Sequence, residues 1–425
     1  MTEKNSTEKD SFFGLGIAPK LLEVLEKASY TVPTPIQRQS IPLAIQGKDM
    51  IGIAQTGTGK TLAFGIPLLQ RLAEVKGRGL IMLPTRELAL QVEETLQKIG
   101  RPIGLRTAVL IGGMPIGGQQ RSLAKKPHVI VATPGRLIDH LEHGSVKLND
   151  IRVLVLDEAD RMLDMGFMPQ IQRILKVLPK DRQTMLFSAT MPDQIVRLVK
   201  SYMQLPVRVE IARPGSTADH VTHELFVVRR DDKLRLLEKL FSEYHGTVLV
   251  FSRTKHAVSR ITRDIRGMGV RVAEIHSNRS LAQRREALEG FKRGKYRVLI
   301  ATDIAARGID VTNIELVVNF DLPENPEDYV HRIGRTGRAG LRGHAISFAT
   351  PDQGSNVRDI ERLIRLVLPI SKLPELPPAR KSSSEFESSD RPSRFSRPSS
   401  GGFGNKPRRR PPYQSSRFGK SSGKR

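Results

Sequence analysis

Three short strings hold residue types suited to phosphate chemistry. The first is "AQTGTGKT", Ala54 to Thr61, which follows an apolar run and precedes a helix-compatible stretch. Gly57 and Gly59 let successive backbone N–H groups curl around a phosphate, Lys60 adds a point charge, and Thr61 can present a hydroxyl to Mg2+. This pattern is a P-loop, with Ala54 where the general form has glycine and with Gln55, Thr56 and Thr58 filling out the cradle. The second is "VLVLDEAD", an apolar strand running straight into Asp157, Glu158 and Asp160. Asp157 can hold the Mg2+ directly or through a water, while Glu158 can orient and activate a water for attack on a γ-phosphate. Carboxylates at the end of an apolar strand are costly without such partners. The third is "HRIGRTGRAG", His331 to Gly340, with Arg332, Arg335 and Arg338 at three-residue spacing. On a helix that spacing lines the arginines along one side, although Gly334 and Gly337 weaken a free helix. A γ-phosphate transition state gains from an arginine supplied across an interface; an RNA-facing basic patch is the other use of such a cluster.

Elements to position these groups can be read on both sides of one break. Strand-like runs "DMIGIA", "GLIMLP", "HVIVATP", "RVLVLDEAD" and "QTMLFSAT" alternate with helical patterns such as "RELALQVEETLQKIG". That alternation predicts a parallel sheet covered by helices. The segment "LPVRVEIARPGSTADHV" then mixes Pro, Gly, Ser and charge without helical period, as a linker does. A second set follows in "GTVLVFSRT", "VRVAEIHS", "YRVLIATD", "IELVVNFDLP" and "HAISFAT". The expected fold class is α/β, with two tandem parallel-sheet domains and a disordered basic C-terminal tail. The boundaries are a flexible N-terminus over 1–11, an ATP-binding domain over 12–208, a linker over 209–220, a C-terminal domain over 221–373, and the tail over 374–425.

Composition narrows the partners. In 425 residues, 69 Lys+Arg against 44 Asp+Glu leave a formal charge of +25, which points to a polyanion, nucleic acid before an anionic membrane surface. No apolar run reaches membrane-spanning length and the start, "MTEKNSTEKDSFF", is polar, so a cytoplasmic protein without a membrane partner is expected. With no cysteine, thiolate chemistry and thiolate-rich zinc sites are excluded. The tail mixes Ser, Arg, Gly and Pro with isolated Phe and Tyr, a composition that cannot bury enough apolar surface to fold. From Arg380 onward its net charge is +10, and arginines interleaved with Phe386, Phe395, Phe403, Tyr413 and Phe418 suit loose RNA binding.

In this company the sequence resembles the DEAD-box ATP-dependent RNA helicases, whose name Asp157-Glu158-Ala159-Asp160 spells, over about Phe12 to Leu373. The resemblance implies two RecA-like domains, ATP and Mg2+ as cofactors, and RNA as the partner, single-stranded or in short duplexes and largely independent of its sequence. "YTVPTPIQ" looks like the family's Q motif, which implies that Gln37 reads the adenine edge and Phe12 packs on the base. "PTRELA" with Pro84, Thr85 and Arg86, the Gly112-Gly113 pair, and "TPGR" with Thr133, Pro134, Gly135 and Arg136 resemble RNA-contacting motifs. Ser188 and Thr190 of "SAT" resemble the motif linking nucleotide state to RNA, by hydroxyls bonded near Asp160. In the second domain the resemblance makes Arg335 and Arg338 the arginine fingers, with His331 and Arg332 joining the domains. "ATDIAARGID" then puts Asp310 near the ribose and Thr302, Asp303 and Arg307 near RNA or the interface, and "VFSRT" makes Arg253 a phosphate ligand. One departure stands out: after "IHSNRS" the family usually has Gln, whereas here Leu281 removes a polar contact near the RNA, while the retained Arg284 is implied to be an RNA contact.

The implied activity is RNA-stimulated ATP hydrolysis coupled to local, weakly processive unwinding or remodelling of RNA and RNA-protein complexes. A DNA translocase and an ATP-gated RNA clamp are the competing readings. "HSNRSLAQRREALEGF" is similar to bacterial, RhlE-like members, for which ribosomal precursors and RNA-decay proteins are candidate partners.

Overall fold

The computed structural model describes residues 11–55, 57–211, 221–306, 311, 314–337 and 343–378. Seven parallel strands form the first sheet: β1 (Met50–Ile53), β2 (Arg78–Met82), β3 (Thr107–Leu110), β4 (Val129–Ala132), β5 (Ile151–Asp157), β6 (Gln183–Ser188) and β7 (Val207–Glu210). Their spatial order is β3-β4-β2-β5-β6-β1-β7. Six more, all parallel, form the second: β8 (Val221–Val227), β9 (Val248–Phe251), β10 (Val272–Ile275), β11 (Val298–Ala301), β12 (Leu316–Asn319) and β13 (Gly343–Ala349), ordered β10-β11-β9-β12-β13-β8.

Each sheet is buried on both faces, which is why its central strands are continuously apolar. Along β5, Val153 and Val155 enter the core on one face, while Leu154 and Leu156 enter the core on the other. In the second lobe Val248 and Val250 divide from Leu249 and Phe251 in the same way. The strands absent from the sequence-based reading are β3, β7 and β8, all at sheet edges. There one flank lacks a neighbouring strand, burial is partial, and the apolar run that marks a central strand is not required.

Two boundaries move accordingly. Residues 209 and 210, expected in the linker, belong to β7, which pairs with β1, and Ile211 N–H donates to the Ile53 carbonyl at 3.1 Å. At the other end residues 374–377, expected in the tail, are held on the second lobe: Leu376 packs on its core and Arg235 Nε donates to the Pro377 carbonyl at 2.6 Å. The rest of the expected tail, from residue 379, lies outside the described residues. Among the described residues no helix is long and apolar enough to cross a membrane.

Candidate active site

The P-loop leaves β1 at its carboxyl end and feeds the helix Lys60–Glu74, whose N-cap Gly59 has φ +89°. A side chain there would strike Gln37 and Thr34, so the left-handed turn and the close approach both select glycine. β5 is not adjacent to β1, because β6 lies between them. The carboxylates nonetheless reach the P-loop across that strand's end, since Lys60 Nζ lies 3.0 Å from Glu158 Oε1 and donates also to the Ala54 carbonyl at 3.2 Å.

This is a cluster of buried charges. Lys60, Asp157, Glu158, Asp160 and Arg161 are each no more than 5% exposed. Burial opposes the charge of Lys60, yet Glu158, Asp157 and Asp160 raise its pKa above the usual lysine value. Burial pushes Asp157 up to about 7, only partly countered by Lys60. For Glu158 burial also acts upward, but Lys60 and Arg161 outweigh it and hold the carboxyl well below the ordinary range. Two neighbouring carboxylates are thus driven apart, a pattern that marks sites of proton and metal chemistry. Glu158 sits at φ +56°, a strained setting for a residue with a side chain.

Asp160 connects this cluster to the end of β6. Its Oδ2 accepts from Ala189 N–H (3.0 Å), Thr190 N–H (2.8 Å) and Thr190 Oγ1 (3.0 Å), while its own N–H donates to Ser188 Oγ at 3.2 Å. Gln37 is 3% exposed and closes on the P-loop: Nε2 donates to the Gly59 carbonyl and Oε1 accepts from Thr34 N–H, both at 2.9 Å. Thr58 Oγ1 donates to the Gln55 carbonyl at 2.7 Å. Phe12, expected against the base, is 4% exposed within the first-lobe core and leaves little ring surface for it.

A cavity of about 270 Å³ opens between Ala54, Gln55 and Thr58 on one side and Val330, His331 and Arg335 on the other. The helix Pro326–Ile333 stops at Ile333, so Arg332 and Arg335 do not share a helix face. Arg335 lies in the following turn, 3% exposed, with Nε donating to the His331 carbonyl at 3.2 Å. Arg332 turns inward instead. It forms a two-pronged pair with Asp303 at 2.5 and 2.7 Å and donates to Asn319 Oδ1 and the Asp321 carbonyl, so it braces the second lobe rather than joining the lobes. His331 does reach across: its Nδ1 is 2.5 Å from Arg161 Nη2. Thr56, Arg307, Asp310 and Arg338 lie outside the described residues.

Among the residues expected at RNA, Arg86 lies over Gly112 and Gly113, where any Cβ would collide with its guanidinium. Arg136 Nη1 donates to the Met114 carbonyl of the same turn at 3.0 Å, and a Cβ at Gly135 would meet open space. Arg253 is 46% exposed. Thr85 is a helix N-cap, accepting from Leu88 N–H at 3.3 Å, and Pro84 beside it is buried. Thr133 likewise precedes the helix Pro134–Glu142 at its N-cap position. Asp303 is engaged by Arg332, and the Thr302 N–H donates to the Ile275 carbonyl at 3.3 Å. Arg284 departs furthest from expectation: it pairs with Glu87 of the first lobe at 2.9 Å and is only 11% exposed, so the pair bridges the two lobes.

Comparison with known proteins now decides the family. Residues 34–198 match the DEAD/DEAH box helicase family and residues 232–340 the helicase conserved C-terminal domain. The chain is 43% identical over 376 residues to an ATP-dependent rRNA helicase RRP3 from Debaryomyces hansenii, covering 87% of this chain and 78% of that protein. The chain belongs to the DEAD-box ATP-dependent RNA helicases. It is also 42% identical over 381 residues to the ATP-dependent RNA helicase DbpA of Bacillus subtilis, covering 88% of this chain and 80% of that one. The structure of S. cerevisiae Dbp5 bound to RNA and ADP BeF3 superposes with a TM-score of 0.75 at 32% identity, over 84% of this chain and 93% of that chain. The two parallel-sheet lobes are therefore RecA-like, and a DEAD-box helicase is an ATP-hydrolysing enzyme.

Two contributors to this helicase's site are not marked by the sequence. Arg161 and Glu87 are ordinary helix residues by composition, and each has a partner in the second lobe that only the approach of that lobe supplies. The signal for both was adjacency to a motif, which by itself names no partner. Leu281, the departure from the family pattern, takes no polar role: it packs against the first-lobe core.

Proposed function

We propose that the chain couples ATP hydrolysis, stimulated by RNA, to local and weakly processive unwinding or remodelling of RNA and RNA-protein complexes. One observation carries this reading: P-loop residues of one lobe and His331, Gly334 and Arg335 of the other line a single cavity together with Arg161, the ion-pair partner of Glu158. In the proposed cycle Lys60 turns from Glu158 to the phosphates and Gln37 reads the adenine. Glu158 orients the attacking water, and Arg335 with Arg338 neutralises charge developing on the transferred phosphate. Ser188 and Thr190, through Asp160, relay the state of the site to the RNA face.

The donors fit Mg2+. Asp157 and Thr61 offer oxygen only, and no cluster of three or more His, Cys, Asp or Glu arranged for a metal occurs among the described residues. That suits a cation that keeps waters and takes one or two protein oxygens plus phosphates. When bound it would neutralise phosphate charge and favour the ionised form of Asp157, which burial otherwise opposes.

RNA as the partner is supported by the RNA-bound Dbp5 likeness and by the formal net charge of +25. The name of the RRP3 relative favours ribosomal precursors among RNAs. Arg86, Arg136 and Arg253 are the proposed phosphate contacts, with the tail as a salt-sensitive auxiliary. An RhlE-like subgroup and a cytoplasmic setting remain part of this reading.

The test is the ATPase rate with and without single-stranded RNA, with matched DNA as control and Glu158→Gln as blank. Stimulation by RNA alone is expected. Equal stimulation by DNA would overturn the substrate class, and undiminished turnover in Glu158→Gln would remove that residue from its role.

A further inference from the structure

Glu158 is held by two cations of different origin. Lys60 from the P-loop engages Oε1 at 3.0 Å, and Arg161 Nε engages Oε2 at 2.7 Å. Arg161 is 1% exposed, and its Nη2 is 2.5 Å from His331 Nδ1 in the second lobe. We infer that Arg161 is a positioning residue for hydrolysis, the rigid link through which closure of the second lobe sets the orientation of the water-orienting carboxylate Glu158.

The guanidinium is planar, and Nε and Nη2 share one of its edges, so the two contacts lie along a single rigid side of the group. Moving the imidazole turns that plane and with it the carboxylate. A lysine ammonium is a point charge on a flexible stem and could satisfy either partner without tying one to the other. A guanidinium donor on Nδ1 also requires that nitrogen to present its lone pair, which puts the imidazole proton on Nε2.

Nucleotide makes this link matter. Lys60 is the P-loop lysine, and once it turns to the phosphates Oε1 is left to accept from water while Oε2 stays on Arg161. The carboxylate then has one oxygen for chemistry and one for orientation, and the second depends on the other lobe. Arg161 thereby makes hydrolysis conditional on closure, and because its contact with His331 is itself made across the lobes, it also contributes to closure. The inference rests on the proposed role of Glu158 and adds a residue outside the P-loop, the four-residue acidic motif and the arginine motif.

The experiment uses the full chain with Arg161→Lys, His331→Ala, His331→Asn and the Arg161→Lys/His331→Ala double variant. Two quantities are read: the RNA-stimulated kcat with KM for ATP, and the lifetime of RNA on the protein with a non-hydrolysable ATP analogue. Arg161→Lys and His331→Ala are each expected to lower kcat about a hundredfold with KM within about threefold, and the double variant to be no worse than the poorer single. Both should shorten the RNA lifetime about tenfold, because the lost Arg161–His331 contact weakens closure as well as the setting of Glu158. His331→Asn, which keeps an acceptor near the Nδ1 position, should retain most of both.

Arg161→Lys turnover within about threefold of the parent, multiplicative losses in the double variant, or an unchanged RNA lifetime would each overturn the inference. If Arg161→Lys does not fold, His331→Asn against His331→Ala decides: equal loss in the two overturns it. Glu158→Gln separates the two levels. If it turns over normally, the reading of the site fails and this one with it; if it is silent while Arg161→Lys is active, only the link through Arg161 falls.

Discussion

At the carboxyl end of β5 the first lobe buries Asp157, Glu158 and Asp160 beside Lys60 and Arg161, whereas around the end of β12 the second lobe buries Arg332 and Lys233 among Asp303, Asn319 and Asp321. The folds are alike, but the settlement of charge is not. In the second lobe the partners are its own: Arg332 spreads its donors over Asp303, Asn319 and the Asp321 carbonyl, and Lys233 donates to the Phe320 carbonyl at 2.7 Å. In the first lobe neighbouring carboxylates are left with opposed pKa shifts, one residue is strained at φ +56°, and the chain of contacts ends on the other lobe. A network closed within one lobe stabilises that lobe. A network completed by a second body makes chemistry depend on where that body is.

This contrast can be broken at several points. The largest effect is expected at Glu158→Gln, which should lower RNA-stimulated kcat on the order of a thousandfold, with ATP and RNA binding kept and little change in unfolding temperature. A comparable loss of stability instead would make Glu158 a strut like those of the second lobe. Arg332→Met should show the reverse balance. By leaving Asp303 unpaired it should cost about 3 kcal/mol in denaturant unfolding, and saturating ATP and RNA should restore much of the turnover of the remaining folded protein.

Acidity should move the lobes in opposite directions. Burial lowers His223 to about 4, with His344 adding to the effect, and its ring bonds to Tyr329 at 3.0 Å. Its folded pKa lies below the unfolded value, so the stability it contributes is present above about 6.5 and lost as pH falls toward 4, roughly 3 kcal/mol at most. Asp157 is raised from 3.8 to about 7, so its contribution is present below 3.8 and lost as pH rises through 7. Calorimetry between pH 4 and 7 should therefore find the acid-side loss reduced in His223→Asn and the alkaline-side loss reduced in Asp157→Asn. The same slope in both variants would show that the buried charges of the two lobes are not set apart as described.

The smallest effect is expected at the lobe contact. Leu281→Gln should raise the RNA concentration for half-maximal ATPase roughly fivefold, or about 1 kcal/mol, by removing an apolar contact with the first-lobe core. No change would mean that the Glu87–Arg284 pair holds that side alone.

The amino-acid sequence by itself determined the central strands, because a parallel strand buried on both faces must be an apolar run, as in "VLVLD" and "TVLVF". It also determined the P-loop and the acidic motif, whose chemistry needs fixed residue types at fixed spacing along one chain segment. The Ser188–Thr190 contacts with Asp160 were implied by the family resemblance, and the adjacency of β5 and β6 that allows them was decided by the fold. The fully buried edge strand β10 was read as a strand-like run, but the other three edge strands were not legible, because half-burial imposes no strict pattern on β3, β7 or β8. Nor were the partners of the arginines. A guanidinium can serve RNA, a phosphate, a carboxylate or an imidazole, and its own sequence position is the same in each case. Only the folded chain assigned Arg332 to Asp303, Arg284 to Glu87 and Arg161 to His331, because those choices depend on groups 29, 197 and 170 positions away that burial forces together.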